Sequence, residues 1–155
     1  MLLYVHHVHY LVHDLDAMMI YLEKNFGMKP DHLVEYKFGM KPDHVGEHKD
    51  RAMKESIYDI GKTHIQITEP RDPKSGMGKH LAKHGPGVYH VAWAVDDIRK
   101  VVKELIVSGN KLRDKDGIYR SPRGYLTCNI DPASSHGLVF QLAEGTHVSN
   151  PNLAD

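Results

Sequence analysis

The chain has 155 residues, 41% of them hydrophobic, which is enough to fill the core of one ordinary domain or of two fused half-size modules and excludes disorder as its main theme. Lys plus Arg and Asp plus Glu number 20 each, so the formal net charge is zero and no basic stretch offers a surface for nucleic acid. A single cysteine, Cys128, excludes an internal disulfide and a cysteine zinc site, and points to a reducing, cytoplasmic setting.

The opening run Met1–Val12 is apolar, but it carries His6, His7 and His9, lacks a cationic start and falls short of the roughly 18 uncharged residues of a membrane span. It reads as a first strand. Asp14 then sits where a helix N-cap belongs, Leu15, Met18, Met19 and Leu22 recur at helical spacing, and Gly27 is the expected stop. Residues about 53–60 and 63–69 read as strands. Asp72-Pro73 and Gly85-Pro86 bracket a short helix at Gly76–His84. A strand from Val88 leads into a second helix, with Asp97 as cap, Ile98, Val101, Val102 and Leu105 as its apolar stripe and Gly109 as its stop; strands at about 111–114, 124–130 and 137–143 complete the chain.

These elements repeat. His7-Val-His-Tyr-Leu-Val-His-Asp-Leu15 matches His90-Val-Ala-Trp-Ala-Val-Asp-Asp-Ile98, and His64-Ile-Gln-Ile-Thr-Glu-Pro70 matches Val139-Phe-Gln-Leu-Ala-Glu-Gly145. The reading is an α+β chain of βαβββ repeated twice. The first module spans 1–70, a helical connector 71–85, the second module 86–146 and a tail 147–155. Another repeat lies inside the first module: Phe26–Lys37 is followed at once by Phe38–Lys49, identical at nine of twelve positions. Two copies fall short of a solenoid, so 26–49 reads as a tandem duplication in which one copy supplies the second strand and the other extends a loop or hairpin.

Thirteen histidines are several times the usual share. Strand alternation sorts them. Val8, Tyr10 and Val12 share one face of the first strand and His7, His9 and Leu11 the other; Val91, Trp93 and Val95 oppose His90, Ala92 and Ala94. By the same rule His7, Gln66, His90 and Gln141 all lie opposite the apolar, helix-packing set of their strands. Two neutral imidazoles and two amide oxygens can hold a divalent transition ion, and four neutral ligands leave its charge uncompensated, which makes a strong Lewis acid but a loosely held one. The competing reading is two histidines and two glutamines on a wet sheet face. His6, His13, His32, His44, His48, His84, His136 and His147 read as surface or turn residues, and Cys128 as a small buried hydrophobe.

The run Gly76-Met-Gly-Lys-His-Leu-Ala-Lys-His-Gly-Pro-Gly-Val-Tyr-His90-Val-Ala-Trp-Ala-Val-Asp-Asp-Ile98 resembles the linker, metal-histidine strand and helix start of the vicinal oxygen chelate superfamily, the glyoxalase, bleomycin resistance and extradiol dioxygenase fold, with the closest likeness to methylmalonyl-CoA epimerases. The resemblance implies an α+β fold of two paired βαβββ modules forming a curved mixed sheet with a concave metal-binding cleft, and a metal-dependent epimerase or isomerase acting next to a thioester or carbonyl through a metal-stabilised enolate. It implies His7, Gln66 and His90 as ligands of a divalent ion (Co, Mn, Zn, Ni or Fe), Glu55 as the catalytic base, a small-molecule substrate such as an acyl-CoA, and a homodimer. Glu55 aligns only when one twelve-residue copy is treated as extra. At the fourth ligand the pattern departs: Gln141 stands where the family carries glutamate. An amide accepts no proton, so a second base must come from elsewhere, with His9, Tyr89 and Glu144 as candidates; His9 and Tyr89 are also candidate substrate-binding residues. Glu144, at odd spacing from Gln141, points to the other face. The alternatives are a glyoxalase-like lyase or isomerase on another small oxygenated substrate, and a ligand-binding protein of the same fold that needs no ion.

Overall fold

A computed structural model describes residues 2–30, 32–36, 53–115, 117–121 and 123–145, with residues 32–36 described for their backbone alone. Residues 37–52, which include the second copy of the tandem repeat, and the tail from 146 lie outside the described residues. In chain order the elements are β1 (Leu2–Leu11), α1 (Leu15–Phe26), β2 (His32–Tyr36), β3 (Met53–Ile60), β4 (Thr63–Pro70), α2 (Gly76–His84), β5 (Gly87–Val95), α3 (Ile98–Val107), β6 (Ile118–Arg120), β7 (Leu126–Ile130) and β8 (Phe140–Glu144). The fold is α+β, built on two βαβββ modules.

The described chain falls into two compact units, one of His7 to Tyr89 and the other of the residues up to His6 and from His90 onward. In the first, the strand order is β2-β3-β4-β1, with β1 parallel to β4 and the other pairs antiparallel. In the second it is β5-β8-β7-β6, with β5 parallel to β8. The two orders are one pattern used twice. A parallel pair needs a long crossover, and α1 and α3 begin in the segments that make it.

Helix starts follow local chemistry. The Asp14 carboxylate accepts from Ala17 N at 2.9 Å and Asp97 from Lys100 N at 2.9 Å, so each satisfies an amide that the helix leaves bare. Gly27, at φ 67°, closes α1 in the left-handed conformation. α3 stops one residue earlier than its glycine predicts, with Ser108 as its C-cap and Gly109 following at φ 88°.

Each module buries the face that alternation assigns to its helix. Under α1, Leu15, Met18, Met19 and Leu22 meet Tyr10, Val12, Tyr58, Ile65 and Ile67. Under α3, Ile98, Val101, Val102 and Leu105 meet Trp93, Val95, Cys128, Phe140 and Leu142. Cys128 is fully buried there, and burial pushes its thiol up to about 11. On the opposite face of the first module, α2 sets Met77 and Leu81 on Leu11 and Met53, beside Tyr89.

Three expectations are corrected. The strand expected at 111–114 is reduced to one isolated bridge, Leu112 with Ile130, because the chain turns back at Asp114, whose carbonyl accepts from Gly117 N at 3.1 Å with Gly117 at φ 66°. The outer strand is instead β6. β8 starts at Phe140 and not 137, since the preceding residues form turns with His136 at φ 54° and Gly137 at φ 91°. His6, expected at the surface, is 1% exposed; its Nε2 lies 3.2 Å from the Gly145 carbonyl oxygen and its ring 4.7 Å from that of Tyr125.

Candidate active site

The site-facing side of each module follows from strand register. In the first, His7 pairs with His64, His9 with Gln66 and Leu11 with Thr68, while Thr68 pairs with Glu55 and Gln66 with Ile57. Paired residues on adjacent strands share a face. His7, His9, Gln66, Thr68 and Glu55 therefore lie together, opposite the α1 core.

At the centre is a buried carboxylate. Glu55 is 1% exposed, and its Oε2 accepts from Gln66 Nε2 and from Thr68 Oγ1, the latter at 3.0 Å. Thr68 Oγ1 also lies 2.8 Å from His9 Nε2. With the Thr68 hydrogen donated to Glu55, the hydroxyl can only accept from His9, so His9 carries its proton on Nε2. Gln66 and Thr68 thus both hold the same carboxylate oxygen. The carboxylate also orients Gln66: only the amide nitrogen can face an acceptor, which turns the Gln66 carbonyl oxygen away from Glu55. Tyr89 is half-buried, edge-on to His9 with ring centres 5.5 Å apart and to His80 at 4.9 Å.

The second module repeats the positions of His7 and Gln66 and not that of Glu55. Gln141 pairs with Ala92, two residues after His90, as Gln66 pairs with His9, two residues after His7. His90 and Gln141 thus share one face and stand at the equivalent places. The position equivalent to Glu55 is Thr127, paired with Ala143 as Glu55 is with Thr68. Its hydroxyl donates to the Leu142 carbonyl at 2.9 Å. Gln141 is 7% exposed; its Nε2 donates to Asn129 Oδ1 at 2.9 Å, and its Oε1 is buried with no hydrogen-bond partner among the described residues. A carbonyl oxygen left in that state costs free energy unless something electropositive meets it. This chemistry fits a cation ligand.

Glu144 does other work. Its Oε2 accepts from Ile98 N at 2.6 Å, at the first turn of α3, and Glu69 does the same for Leu15 N at 2.9 Å, at the first turn of α1. Each module thus carries a Gln on the site face and, three residues on, a Glu on the helix face. This removes Glu144 from the candidate bases. Sequence reasoning missed Thr68 and Asn129, which bind the acidic and amide groups in place; the available signal was their two-residue alternation with Gln66 and their place opposite Gln141. Among the described residues, no group of three or more His, Cys, Asp and Glu is arranged to hold a metal ion. Each module brings one sequence-predicted His and one sequence-predicted Gln to one face: His7 and Gln66 in the first, His90 and Gln141 in the second.

The sequence profile of the glyoxalase/bleomycin resistance protein/dioxygenase superfamily matches residues 6–125. The chain belongs to this superfamily. No curated protein matches it. Among solved structures of the superfamily fold, a methylmalonyl-CoA epimerase of Streptomyces coelicolor, a variant in complex with 2-nitronate-propionyl-CoA, is 25% identical with a TM-score of 0.77, over 97% of this chain and 100% of that one. The methylmalonyl-CoA epimerase of Mycobacterium tuberculosis is 23% identical with a TM-score of 0.76, over 99% of this chain and 92% of that one. A further methylmalonyl-CoA epimerase is 26% identical with a TM-score of 0.73, over 92% and 95%. Among the described residues no helix is long and apolar enough to cross a membrane.

Proposed function

We propose that this chain is a metal-dependent epimerase or isomerase that removes a proton from the carbon next to a thioester or carbonyl, with Glu55 as the base and an acyl-CoA as the substrate class. The observation that carries the reading is the buried Glu55 carboxylate, fixed by Gln66 and Thr68 on the same face as His7. His7, Gln66, His90 and Gln141 would hold a divalent ion, and the carbonyl ends of both glutamines, set by the partners of their nitrogens, support that assignment. Such an ion supplies a Lewis acid that draws electron density from the substrate carbonyl.

Glu55 takes the proton from the α-carbon and can return it. Hydrogen bonds from Gln66 and Thr68 hold it in position. His9, acting through Thr68, keeps the hydroxyl aimed at the carboxylate. His9 and Tyr89 also line the face that an acyl group would meet.

A specific observation favours a narrower form of the same reading. The place equivalent to Glu55 holds Thr127, and Gln141 replaces the second carboxylate, so the site has one strong base and favours exchange or isomerisation on one face over inversion. The test follows methylmalonyl-CoA in D2O with cobalt-loaded, tag-free protein, reading deuterium uptake by mass spectrometry and stereochemistry separately. Uptake with inversion supports the epimerase, and uptake without inversion the one-face enzyme. No uptake, together with no cobalt bound by elemental analysis in wild type and His90→Ala alike, sinks both and leaves a ligand-binding protein.

A further inference from the structure

We infer that Asp114 and Asn129 are positioning residues for the ion site: Asp114, acting through Asn129, decides which end of the Gln141 amide faces the ligand side and makes that glutamine serve where a carboxylate ligand is absent. The inference rests on the metal-site reading above. It follows from donor and acceptor bookkeeping along one chain of side chains in the second module.

Asn129 Nδ2 donates to Asp114 Oδ2 at 2.7 Å and to Tyr119 Oη at 2.8 Å. An ionised carboxylate only accepts, so the Asn129 amide cannot turn over without setting its oxygen against that of Asp114. Asn129 Oδ1 is thereby committed to the other side, where it accepts from Gln141 Nε2 at 2.9 Å. Gln141 is then fixed in turn, because its reversal would set two carbonyl oxygens together and bury an NH2 without an acceptor. The result is the buried Gln141 Oε1, turned away from Asn129 and without a hydrogen-bond partner.

A carboxylate ligand needs no such device, since both its oxygens are equivalent acceptors. An amide does, because only one end is a ligand. The first module solves the same problem with Glu55, which fixes Gln66 directly. In the second module the position beside the glutamine is Asn129 and the carboxylate lies one step further out. Both glutamines are therefore oriented by an acid, one at first hand and one through an amide.

Cobalt(II) is the probe, titrated calorimetrically into tag-free wild type, Asn129→Leu and the exchanged pair Asp114→Asn with Asn129→Asp. In the exchanged pair one oxygen of the new carboxylate accepts from Gln141 and the other from the new amide, so the orientation is kept. Asn129→Leu is expected to bind cobalt about 10- to 100-fold more weakly, and the exchanged pair to return within about threefold of wild type. In ion-free, nitrogen-15-labelled wild type, the Gln141 side-chain NH2 should also show nuclear Overhauser contacts to Asn129. Unchanged cobalt affinity in Asn129→Leu, an exchanged pair no better than it, or a Gln141 NH2 without contacts to Asn129 overturns the inference while leaving the metal site standing. A wild type that binds no cobalt overturns both.

Discussion

Glu55 and Cys128 are both buried, and burial serves opposite ends in the two. Glu55 is a charged acceptor kept in place by two donors on its site-facing side. Glu55→Gln preserves size and can still accept from Thr68, so it should fold and bind cobalt like wild type while deuterium uptake falls by about 10²- to 10⁴-fold. Loss of cobalt binding in that variant would instead place Glu55 among the ligands. Cys128 lies in the apolar core under α3, where desolvation raises its pKa from 9.0 to about 11. The unfolded thiol ionises first, so above about pH 9 the unfolded chain sheds a proton that the native one keeps, and stability falls as pH rises towards 11. Between pH 8 and 10.5, wild type should lose about 1–2 kcal/mol more unfolding free energy than Cys128→Ala, measured by urea titration. Equal slopes would show that the core thiol contributes nothing to alkaline instability. The burial of Cys128 was legible because a lone cysteine in an alternating strand has few other uses. The burial of His6 was not, because its partners, Gly145 and Tyr125, lie at the far end of the sequence.

At the scale of elements, capping and alternation were read directly: Asp14, Asp97, Gly27 and the helix Gly76–His84 stand where local chemistry puts them. What local chemistry could not show is how tightly α2 starts. A Cβ on Gly78 would come within 2.2 Å of the Asp72 carbonyl oxygen and 2.8 Å of Pro73 Cα, both backbone atoms, whereas nothing lies within 4 Å of a Cβ on Gly76. Gly78→Ala should therefore cost about 1–3 kcal/mol in thermal unfolding, and Gly76→Ala should be neutral or slightly stabilising, within about 1 kcal/mol. A Gly78→Ala variant as stable as wild type would mean that α2 shifts freely. The same limit explains the misplaced outer strand. Lys111–Asp114 and Ile118–Arg120 are both short and mixed in character, and only the turn at Gly117 and the pairing of β6 with β7 decide between them.

For the whole molecule, the tandem repeat can be tested by deleting one copy. Tyr36 ends β2 opposite Met53, the first residue of β3, and sixteen residues join them. Removing Phe38–Lys49 would leave a four-residue connection, an ordinary length for a hairpin loop. The shortened chain should fold with unchanged helix and strand content by circular dichroism, and with stability within about 1 kcal/mol, since lengthening or shortening a loop alters closure entropy only slowly. Collapse of the fold would show that the second copy is part of the architecture.

The sequence by itself determined the α+β class, the doubled βαβββ order and the apolar faces, because period-two and helical spacing and aspartate caps are local properties repeated in two segments. It also determined that His7 and Gln66, and His90 and Gln141, occupy matching places. The tertiary structure decided what those groups are bonded to. Which oxygen accepts from Thr68, which end of each glutamine is turned outward and why Glu144 belongs to a helix start all depend on strand register and on partners far apart in sequence. Hydrogen bonds satisfy donors and acceptors in space, so a residue's role in a site is settled only when its neighbours are known.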